Sequence, residues 1–539
     1  MAGQPGTVAG ADETALQEVA NLQLKPPTPP VEYPGYARRD PWSVGALGPA
    51  DVGLGDNPWG SVSGAFLSTL MRRMDTPMAS RWAHMAVRDA LLVKARAPRE
   101  VHPVDWVAER AWLLLRMGEA DAARMLVAGV DTDRFTPKMV QVGVQTALAT
   151  ADPPALCPLQ QGIRKYEPRV RALVQAMCSS LAGEPEFASA QIDDARRHGR
   201  IGGIDLTLAE KVVGSGADTG RAVTIEWEPV DHLTAWRFGL ATATGIDVPD
   251  RLLSDASPQL RAFQARAPLL SPQQRLDSAL IAGGLGVFSS QSLVDLYSGI
   301  YDSTDPDDLS SSDAWQLRQA FAAKDQAGRV AAIRHLLAVG KGPLQKEAMR
   351  AAVARAASLI EPDVELQDDA PELISAMLAA GYDRAATRWA ATVRRMNDAN
   401  ADRCWAMLAL AAPNAGGLDI SFGRINEFIG RDDSPNKQRS ALLVAGLAGL
   451  GRIDGRTAGR LNSRNRLGLG RKTKWSLMID SASQRRQAAT VAVLAGVGFQ
   501  AGDFNSVPAM HMYHSVTALS RNGQEFAARM IAAEALART

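Results

Sequence analysis

The stretch Met117-Gly118-Glu119-Ala120-Asp121-Ala122-Ala123-Arg124-Met125-Leu126 joins two amphipathic helical patterns and is the most informative part of this chain. A glycine at this place ends a helix in a backbone conformation that other residues resist, and the alanine five residues later lets the next helix pack closely. Recurrent hairpins of this kind predict an all-α fold, an α-solenoid of antiparallel helical hairpins. The same pattern recurs at Asn522-Gly523-Gln524-Glu525-Phe526-Ala527-Ala528-Arg529-Met530-Ile531, at Gly183 with Ala188, and at Gly381 with Ala386.

The composition is that of a folded helical protein with balanced charge. The 539 residues include 59 basic and 58 acidic side chains, so no global field draws the chain to nucleic acid or anionic lipid. The aromatic content is 6%, and runs of β-branched residues are scarce, which argues against a large sheet. No apolar stretch approaches the roughly 20 residues that a membrane-spanning helix needs.

Four segments are predicted from shifts in composition. Residues 1–58 form a disordered tail rich in proline and glycine, residues 59–301 an N-terminal helical-hairpin domain, and residues 314–539 a C-terminal one. Between the two domains, residues 302–313 read as an acidic linker, because aspartate, proline and serine cluster there.

Local signals predict individual elements within these segments. Asp105 is expected to cap one helix, and Thr136 followed by Pro137 to begin another. The stretch 222–227 is the best strand candidate, but it is too isolated to make a sheet and is expected to be an extended segment along the helices.

The hairpin pattern resembles the tetratricopeptide repeat, whose second helix also begins with a close-packed alanine. The resemblance covers the windows at Gly118, Gly183, Gly381 and Gly523, and the family's full tryptophan, tyrosine and proline pattern is missing. It therefore implies an irregular tetratricopeptide-like solenoid that binds a protein or peptide. In its alanine and arginine content the chain also resembles helical proteins of bacteria with GC-rich genomes.

A basic stretch lies between Gly451 and Trp475, where Asp454 is the single acid. Its first four arginines recur every fourth residue, which on a helix aligns them along one face. Such a row suits phosphates or carboxylates, with Trp475 stacking on a base or sugar; the alternative is a solvated basic face balanced by acids elsewhere. The candidate anion-binding residues are Arg452, Arg456, Arg460, Arg464, Arg466, Arg471, Lys472, Lys474 and Trp475.

The cysteines and the N-terminus bear on the compartment. Cys157 and Cys178 are a possible disulfide, but two buried thiols are expected, since the chain as given lacks a secretory signal and so indicates a reducing compartment. Cys404 is predicted to be core. The predicted localisation is cytoplasmic; the alternative is periplasmic, with a true start upstream.

The sequence shows no convincing catalytic signature, so the first hypothesis is a non-enzymatic scaffold or adaptor that binds a protein or peptide partner. The second is an anion-binding module for nucleic acid or an acidic envelope polymer. The third, ranked last, is an enzyme whose site gathers scattered residues such as Asp231, His232 and Trp236. No cofactor and no metal are predicted; His511 and His514 are expected to serve packing or the surface.

Overall fold

The computed structural model describes residues 34–166, 168–198, 201–216 and 224–539. The chain divides into two compact units, Met1–Arg39 and Asp40–Thr539. In the described part of the first unit, Gly35–Ala37 is a short 3₁₀-helix. The described residues of the second unit are helical and contain no strand, only isolated bridges from Leu47 to Val93 and from Ser63 to Arg99. The predicted all-α class is therefore confirmed.

The described residues form 29 α-helices. The first ten are α1 Gly64–Arg72, α2 Arg81–Leu92, α3 Pro103–Arg116, α4 Ala120–Ala128, α5 Pro137–Ala149, α6 Gln160–Tyr166, α7 Arg171–Leu181, α8 Pro185–His198, α9 Ile204–Gly216 and α10 Ala235–Ala243. The next ten are α11 Asp250–Ser254, α12 Pro258–Ala265, α13 Pro272–Leu285, α14 Ser290–Ser303, α15 Pro306–Leu309, α16 Asp313–Ala322, α17 Gln326–Val339, α18 Pro343–Ala357, α19 Ala370–Ala379 and α20 Asp383–Thr387. The last nine are α21 Ala390–Val393, α22 Asp398–Ala411, α23 Phe422–Arg431, α24 Gln438–Gly449, α25 Gly455–Asn465, α26 Lys474–Gln484, α27 Ala488–Gly498, α28 Ala509–Arg521 and α29 Glu525–Arg538.

All four glycines of the hairpin pattern adopt the predicted left-handed conformation. Their φ angles are +88° at Gly118, +80° at Gly183, +79° at Gly381 and +85° at Gly523. At each, the next backbone N–H donates to the carbonyl five residues earlier at 2.9–3.0 Å, which is the long hydrogen bond of a Schellman motif. The alanine five residues after each glycine is completely buried. The sequence motif thus marks genuine tight turns between packed helices.

The same hydrogen bond closes further turns that the sequence pattern does not reveal, because no alanine follows at the required place. Ala151 and Arg486 adopt positive φ without being glycine. The turns at Gly118, Ala151 and Gly183 are 33 and 32 residues apart, and those at Gly451, Arg486 and Gly523 are 35 and 37 apart, near the roughly 34-residue tetratricopeptide period. The irregular tetratricopeptide-like solenoid stays a prediction. The additional turns lie at Ala151, Gly245, Gly286, Gly451 and Arg486.

One large hydrophobic cluster runs from Val44 to Leu536 and joins the two ends of the second unit. Helix α2 packs against α27 and α29, and the backbone N–H of Ala79 donates to the carbonyl of Phe499 at 2.9 Å. The acidic segment 302–313 lies within this unit and contains α15, with the rings of Tyr301 and Trp315 stacked across it at 6.3 Å. The division into helical-hairpin domains at residues 59–301 and 314–539, with a linker between them, stays a prediction.

A second cluster contains residues between Val140 and Leu253. Cys157 and Cys178 are joined in a disulfide at its edge, with their Cα atoms 5.5 Å apart. The expectation of two free thiols is therefore wrong, because the 3₁₀-helix Pro153–Leu159 and α7 bring the sulfurs together. Cys404, in α22, is a buried free thiol as predicted. Of the candidate strand 222–227, residues 222–223 lie outside the described residues; the rest has no regular structure, and Trp227 is buried.

The predicted tail, residues 1–58, includes residues that belong to the folded unit. Residues 1–33 lie outside the described residues, but from Asp40 onward the chain belongs to the packed unit. Val44 and Leu54 are buried, and Arg110 donates hydrogen bonds to the carbonyls of Val44, Leu91 and Val93. Assigning residues 40–58 to a tail was wrong, since buried apolar side chains and a buried arginine fix that segment.

The start of α3 also differs from its prediction. The helix begins at Pro103, with His102 at the N-cap, so Asp105 lies in the first turn rather than at the cap. Its carboxylate instead accepts a hydrogen bond from the hydroxyl of Thr136 at 2.6 Å. Thr136 caps α5 as predicted, with its side chain accepting from the N–H of Met139. This bond links two consecutive hairpins.

Candidate functional site

The predicted arginine row is built on α25 and the loop that follows it. Asp454 caps the helix by accepting from the N–H of Thr457 at 2.6 Å, and Leu461 is its one fully buried side chain. Arg456, Arg460 and Arg464 are spaced four residues apart on this helix and are exposed. Arg466 ends the helix at φ +54°. The row therefore faces solvent.

Seven cations of this segment form what we call the basic surface. All are exposed, and none has an ion pair with a carboxylate of the described residues. The chain carries no acidic side chain between residues 455 and 479 that would neutralise them. Arg460 lies over the ring of Phe422 at 4.3 Å, which holds its guanidinium at the surface. The basic surface comprises Arg456, Arg460, Arg464, Arg466, Arg471, Lys472 and Lys474.

Arg452, the first arginine of the predicted row, is not part of this surface. It precedes α25, and its guanidinium donates to the carbonyls of Ala409 and Ala412 at the end of α22. Burial lowers the pKa of Arg452 to about 10. Its inclusion among the anion-binding residues was wrong, because two carbonyls at a helix C-terminus already occupy the side chain.

Trp475 has a packing role rather than the predicted stacking role. Its indole N–H donates to the carbonyl of Leu494 at 2.9 Å, and its ring lies 4.4 Å from that of His511. A Cβ on Gly498 would stand 2.6 Å from the indole, so the helix beneath it has no room for a larger residue. His514 pairs with Asp480 at 2.8 Å. The tryptophan and both histidines therefore hold α26 against its neighbours.

A second candidate site is a groove lined by residues from both predicted helical-hairpin domains. Its larger part is a cavity of about 580 Å³ between α2, the N-terminal end of α14, α16 and the C-terminal ends of α18 and α19. A neighbouring cavity of about 310 Å³ shares Val294 and Phe321 with it, so that the two form one continuous groove. The groove thus brings together residues between Arg81 and Tyr382 that are distant in sequence.

The apolar side chains of the groove are large and partly exposed. Trp82 meets Phe526, which lies outside the cavity lining and is 43% exposed, edge to face at 5.4 Å. Leu359 is 49% exposed at the rim. Beneath the two rings lies Gly381, where a Cβ would be 2.9 Å from Phe526 and 3.2 Å from Trp82. The apolar lining of the larger cavity consists of Trp82, Met85, Val294, Phe321, Leu359, Ala380 and Tyr382.

Buried hydrogen bonds fix the floor of the groove. The guanidinium of Arg81 donates to the carbonyls of Gly283, Phe288 and Ala379, and so ties α2 to α13 and α19. Burial, opposed by nearby glutamates, lowers the pKa of Arg81. The other charged residue of the larger cavity is Arg355, which is exposed and has no ion pair among the described residues. The larger cavity is thus lined by two cations and no carboxylate.

The scattered residues of the enzyme hypothesis do not share one polar cluster. The side chains of Asp231 and His232 are exposed. The indole N–H of Trp236 donates to the carbonyl of Asp205 at 3.0 Å, which is a packing contact. Among the described residues, no three histidine, cysteine, aspartate or glutamate side chains are placed to hold a metal ion. In the same residues, each helix is too short or too polar to cross a membrane.

The groove could not be predicted from the sequence, since its residues are ordinary components of helical faces. The hairpin motif at Gly381, which precedes Tyr382, is the one local signal that lies beside it. No family model, curated protein or solved structure matches the chain, so the geometry alone supports a functional proposal.

Proposed function

We propose that this chain is a non-enzymatic scaffold or adaptor that binds a segment of a partner protein in the groove between α2, α14 and α16. The observation that carries the proposal is the partly exposed aromatic lining of a solvent-open groove made of two neighbouring cavities. Aromatic and methionine side chains are enriched where proteins bind each other, and large exposed apolar patches mark interaction sites. The tetratricopeptide-like turns support the same function.

The dimensions of the groove suit anchor side chains rather than a whole folded surface. The two cavities fall within the roughly 300–1,000 Å³ that binding pockets occupy. A partner segment can place two or three apolar side chains between Trp82 and Phe321, and such buried anchors carry most of the energy in interfaces. Arg81 keeps the floor in place, so little ordering energy is lost on binding.

Panning a random peptide display library against the full-length protein tests this proposal. The matched variants are Leu359→Asp at the groove rim and Leu269→Asp, an exposed leucine 62% accessible and outside the groove lining. Enriched peptides are expected to lose about tenfold or more in affinity for the first variant and to keep it for the second. Peptides that bind both variants equally, or a library that yields no binder, would count against the groove.

The anion-binding hypothesis remains a second candidate because the seven cations of the basic surface have no ion pair with described carboxylates. A row that only balanced acids elsewhere would be expected to pair with some of them. Phosphate-bearing polymers bind such surfaces with a strong dependence on salt. Heparin retention of Arg456→Glu/Arg460→Glu/Arg464→Glu, compared with wild type, tests this candidate; unchanged retention would overturn it.

The disulfide bears on the compartment in which the protein acts. Disulfides persist in oxidising compartments and are rare in the cytosol. The Cys157–Cys178 bridge therefore supports the periplasmic alternative over the cytoplasmic localisation expected from the N-terminus. The redox state of these thiols in protein from its native host is the deciding measurement.

A further inference from the structure

Helix α26 presents cationic and apolar side chains together on its exposed face. Lys474, Leu477 and Met478 are related by three and four residues, so they lie on one side of the helix. Leu477 is 57% exposed and Met478 is 37% exposed. The exposed face of α26 therefore combines two large apolar side chains with a cation.

The opposite face of the same helix is firmly packed. Ile479 and Ser476 are buried, and Thr473 caps the helix in a reciprocal arrangement with Ser476. Trp475 is anchored to the carbonyl of Leu494. The exposed pair Leu477 and Met478 is therefore held in a fixed orientation toward solvent by a rigid helix.

Cations border this face directly. Arg471 and Lys472 are exposed in the loop just before α26, and Lys474 is its first helical residue. None of the three has an ion pair with a described carboxylate. The nearest acid along the chain, Asp480, is paired with His514. The charge of this face is therefore available to an anionic partner.

From this juxtaposition we infer that the exposed face of α26, with the preceding loop, docks on the headgroup region of an anionic lipid bilayer. The cations contact lipid phosphates, while Leu477 and Met478 enter the boundary between headgroups and acyl chains. The inference rests on the anion-binding candidate and names its partner; it is independent of the groove. The cations alone and the apolar pair alone would each suit a membrane surface, and their combination on one face suits it better than either does.

Nucleic acid fits the same surface less well. Binding to single strands combines cations with exposed aromatic rings on which bases stack. The aromatic residue of this segment, Trp475, is used in packing against His511. Leu477 and Met478 have no aromatic ring on which a base could stack, whereas they can insert into the boundary between lipid headgroups and acyl chains.

Sedimentation of the full-length protein with phosphatidylcholine vesicles, with and without phosphatidylglycerol, tests the inference. We expect binding only where phosphatidylglycerol is present, and weakening as salt rises. Leu477→Ser/Met478→Ser is expected to weaken binding by roughly tenfold or more, because the insertion of both apolar side chains is lost. Arg471→Glu/Lys472→Glu/Lys474→Glu is expected to abolish it.

Leu269→Ser is the matched control, since Leu269 is as exposed as Leu477 and lies outside this face. All variants change exposed side chains, and thermal unfolding confirms that each is folded. Equal binding by Leu477→Ser/Met478→Ser and wild type would overturn the inference. If the protein binds polyuridylate but not vesicles, the membrane inference is overturned and the anion-binding candidate stands. If it binds neither polyuridylate nor vesicles, both the inference and the candidate are overturned.

Discussion

The hydroxyl of Ser80 donates to Oε2 of Glu534 at 2.6 Å, although 454 positions separate the two residues. The other carboxylate oxygen accepts from the backbone N–H of Arg81 at 2.9 Å and pairs with Arg538 at 2.5 Å. Glu534 thus caps the N-terminus of α2 from the last helix of the chain, where an acid is favoured by the helix dipole. Burial raises the pKa of Glu534, and Arg538 opposes that rise.

Replacing Ser80 by alanine removes both an N-cap and this long-range bond. Ser257 is the matched control, because it also caps a helix, α12, but is exposed and has no such partner. We expect Ser257→Ala to lower the free energy of unfolding by about 1 kcal/mol. Ser80→Ala should cost about 2 kcal/mol more, since a buried charged acceptor loses a donor. Urea unfolding measures both, and equal losses would contradict the role given to Glu534.

Gly183 and Gly381 have the same backbone conformation, so alanine variants of the two distinguish the cost of the turn from the cost of disturbing the rings beside the groove. Gly183 has open space at its Cβ position, whereas a Cβ on Gly381 would meet Phe526 and Trp82. Gly183→Ala is expected to cost about 1 kcal/mol from left-handed strain alone. For Gly381→Ala we expect about 2 kcal/mol, because the edge-to-face contact of the two rings is disturbed as well. Chemical unfolding followed by circular dichroism compares them; indistinguishable variants would show that the rings move without cost.

Asp402 should make stability depend on acid pH. Burial would raise its pKa, but hydrogen bonds from Arg431 and Arg424 outweigh it and hold the pKa of Asp402 below its ordinary value of 3.8. A lowered folded pKa adds stability that is present above 3.8 and is lost as pH falls through the folded pKa. Asp402→Asn should cost about 2 kcal/mol at neutral pH, and the difference from wild type should shrink below pH 3.8.

Asp433 supplies the control for that measurement, since its side chain is 89% exposed and pairs with Arg439 at 3.4 Å. Asp433→Asn is expected to change the unfolding free energy by less than about 1 kcal/mol. Unfolding curves at several pH values test both variants. A deficit of Asp402→Asn that stays constant from neutral to acid pH would show that the carboxylate does not act through its charge.

Because the chain contains the Cys157–Cys178 disulfide, we expect reduction to increase the mass of the native protein by two hydrogen atoms. Its loop of 21 residues corresponds to about 3 kcal/mol of loop entropy in the unfolded chain. Cys157→Ser/Cys178→Ser should therefore destabilise the cluster between Val140 and Leu253 by about that amount. Cys404→Ala, in the other cluster, controls for the loss of a thiol. Native protein whose mass is unchanged by reductant would mean that the bridge does not form in the host.

Features set by neighbouring residues could be predicted from the sequence, and features set by distant ones could not. The turns at Gly118 and Gly523 were found because a left-handed glycine and a small alanine act within six residues. Arg452 and Trp475 were misjudged because their partners, the carbonyls of Ala409 and Leu494, come from other helices. Each has the residue type of a ligand-binding group, and only the fold shows that another helix already uses it.

The groove could not be predicted for the same reason. Trp82 and Phe321 lie more than 200 residues apart, and each alone is an ordinary apolar position on a helix. The basic surface, in contrast, is contiguous in sequence, so all but Arg452 and Trp475 of its predicted members remain exposed. The basic surface could therefore be predicted because its residues are contiguous, whereas the lining of the groove comes from helices that are distant in sequence.

Because Glu534 caps α2, this cap can form only after the last helix has been synthesised. At about 5–20 residues per second, synthesis of the 454 intervening positions takes roughly 20–90 s. Throughout that time the N-terminus of α2 is without its acidic cap, although Val87 on the same helix can meet Gly496 once α27 has been made. A message cut short before α29 would therefore yield a product in which the N-terminus of α2 lacks its acidic cap, Glu534.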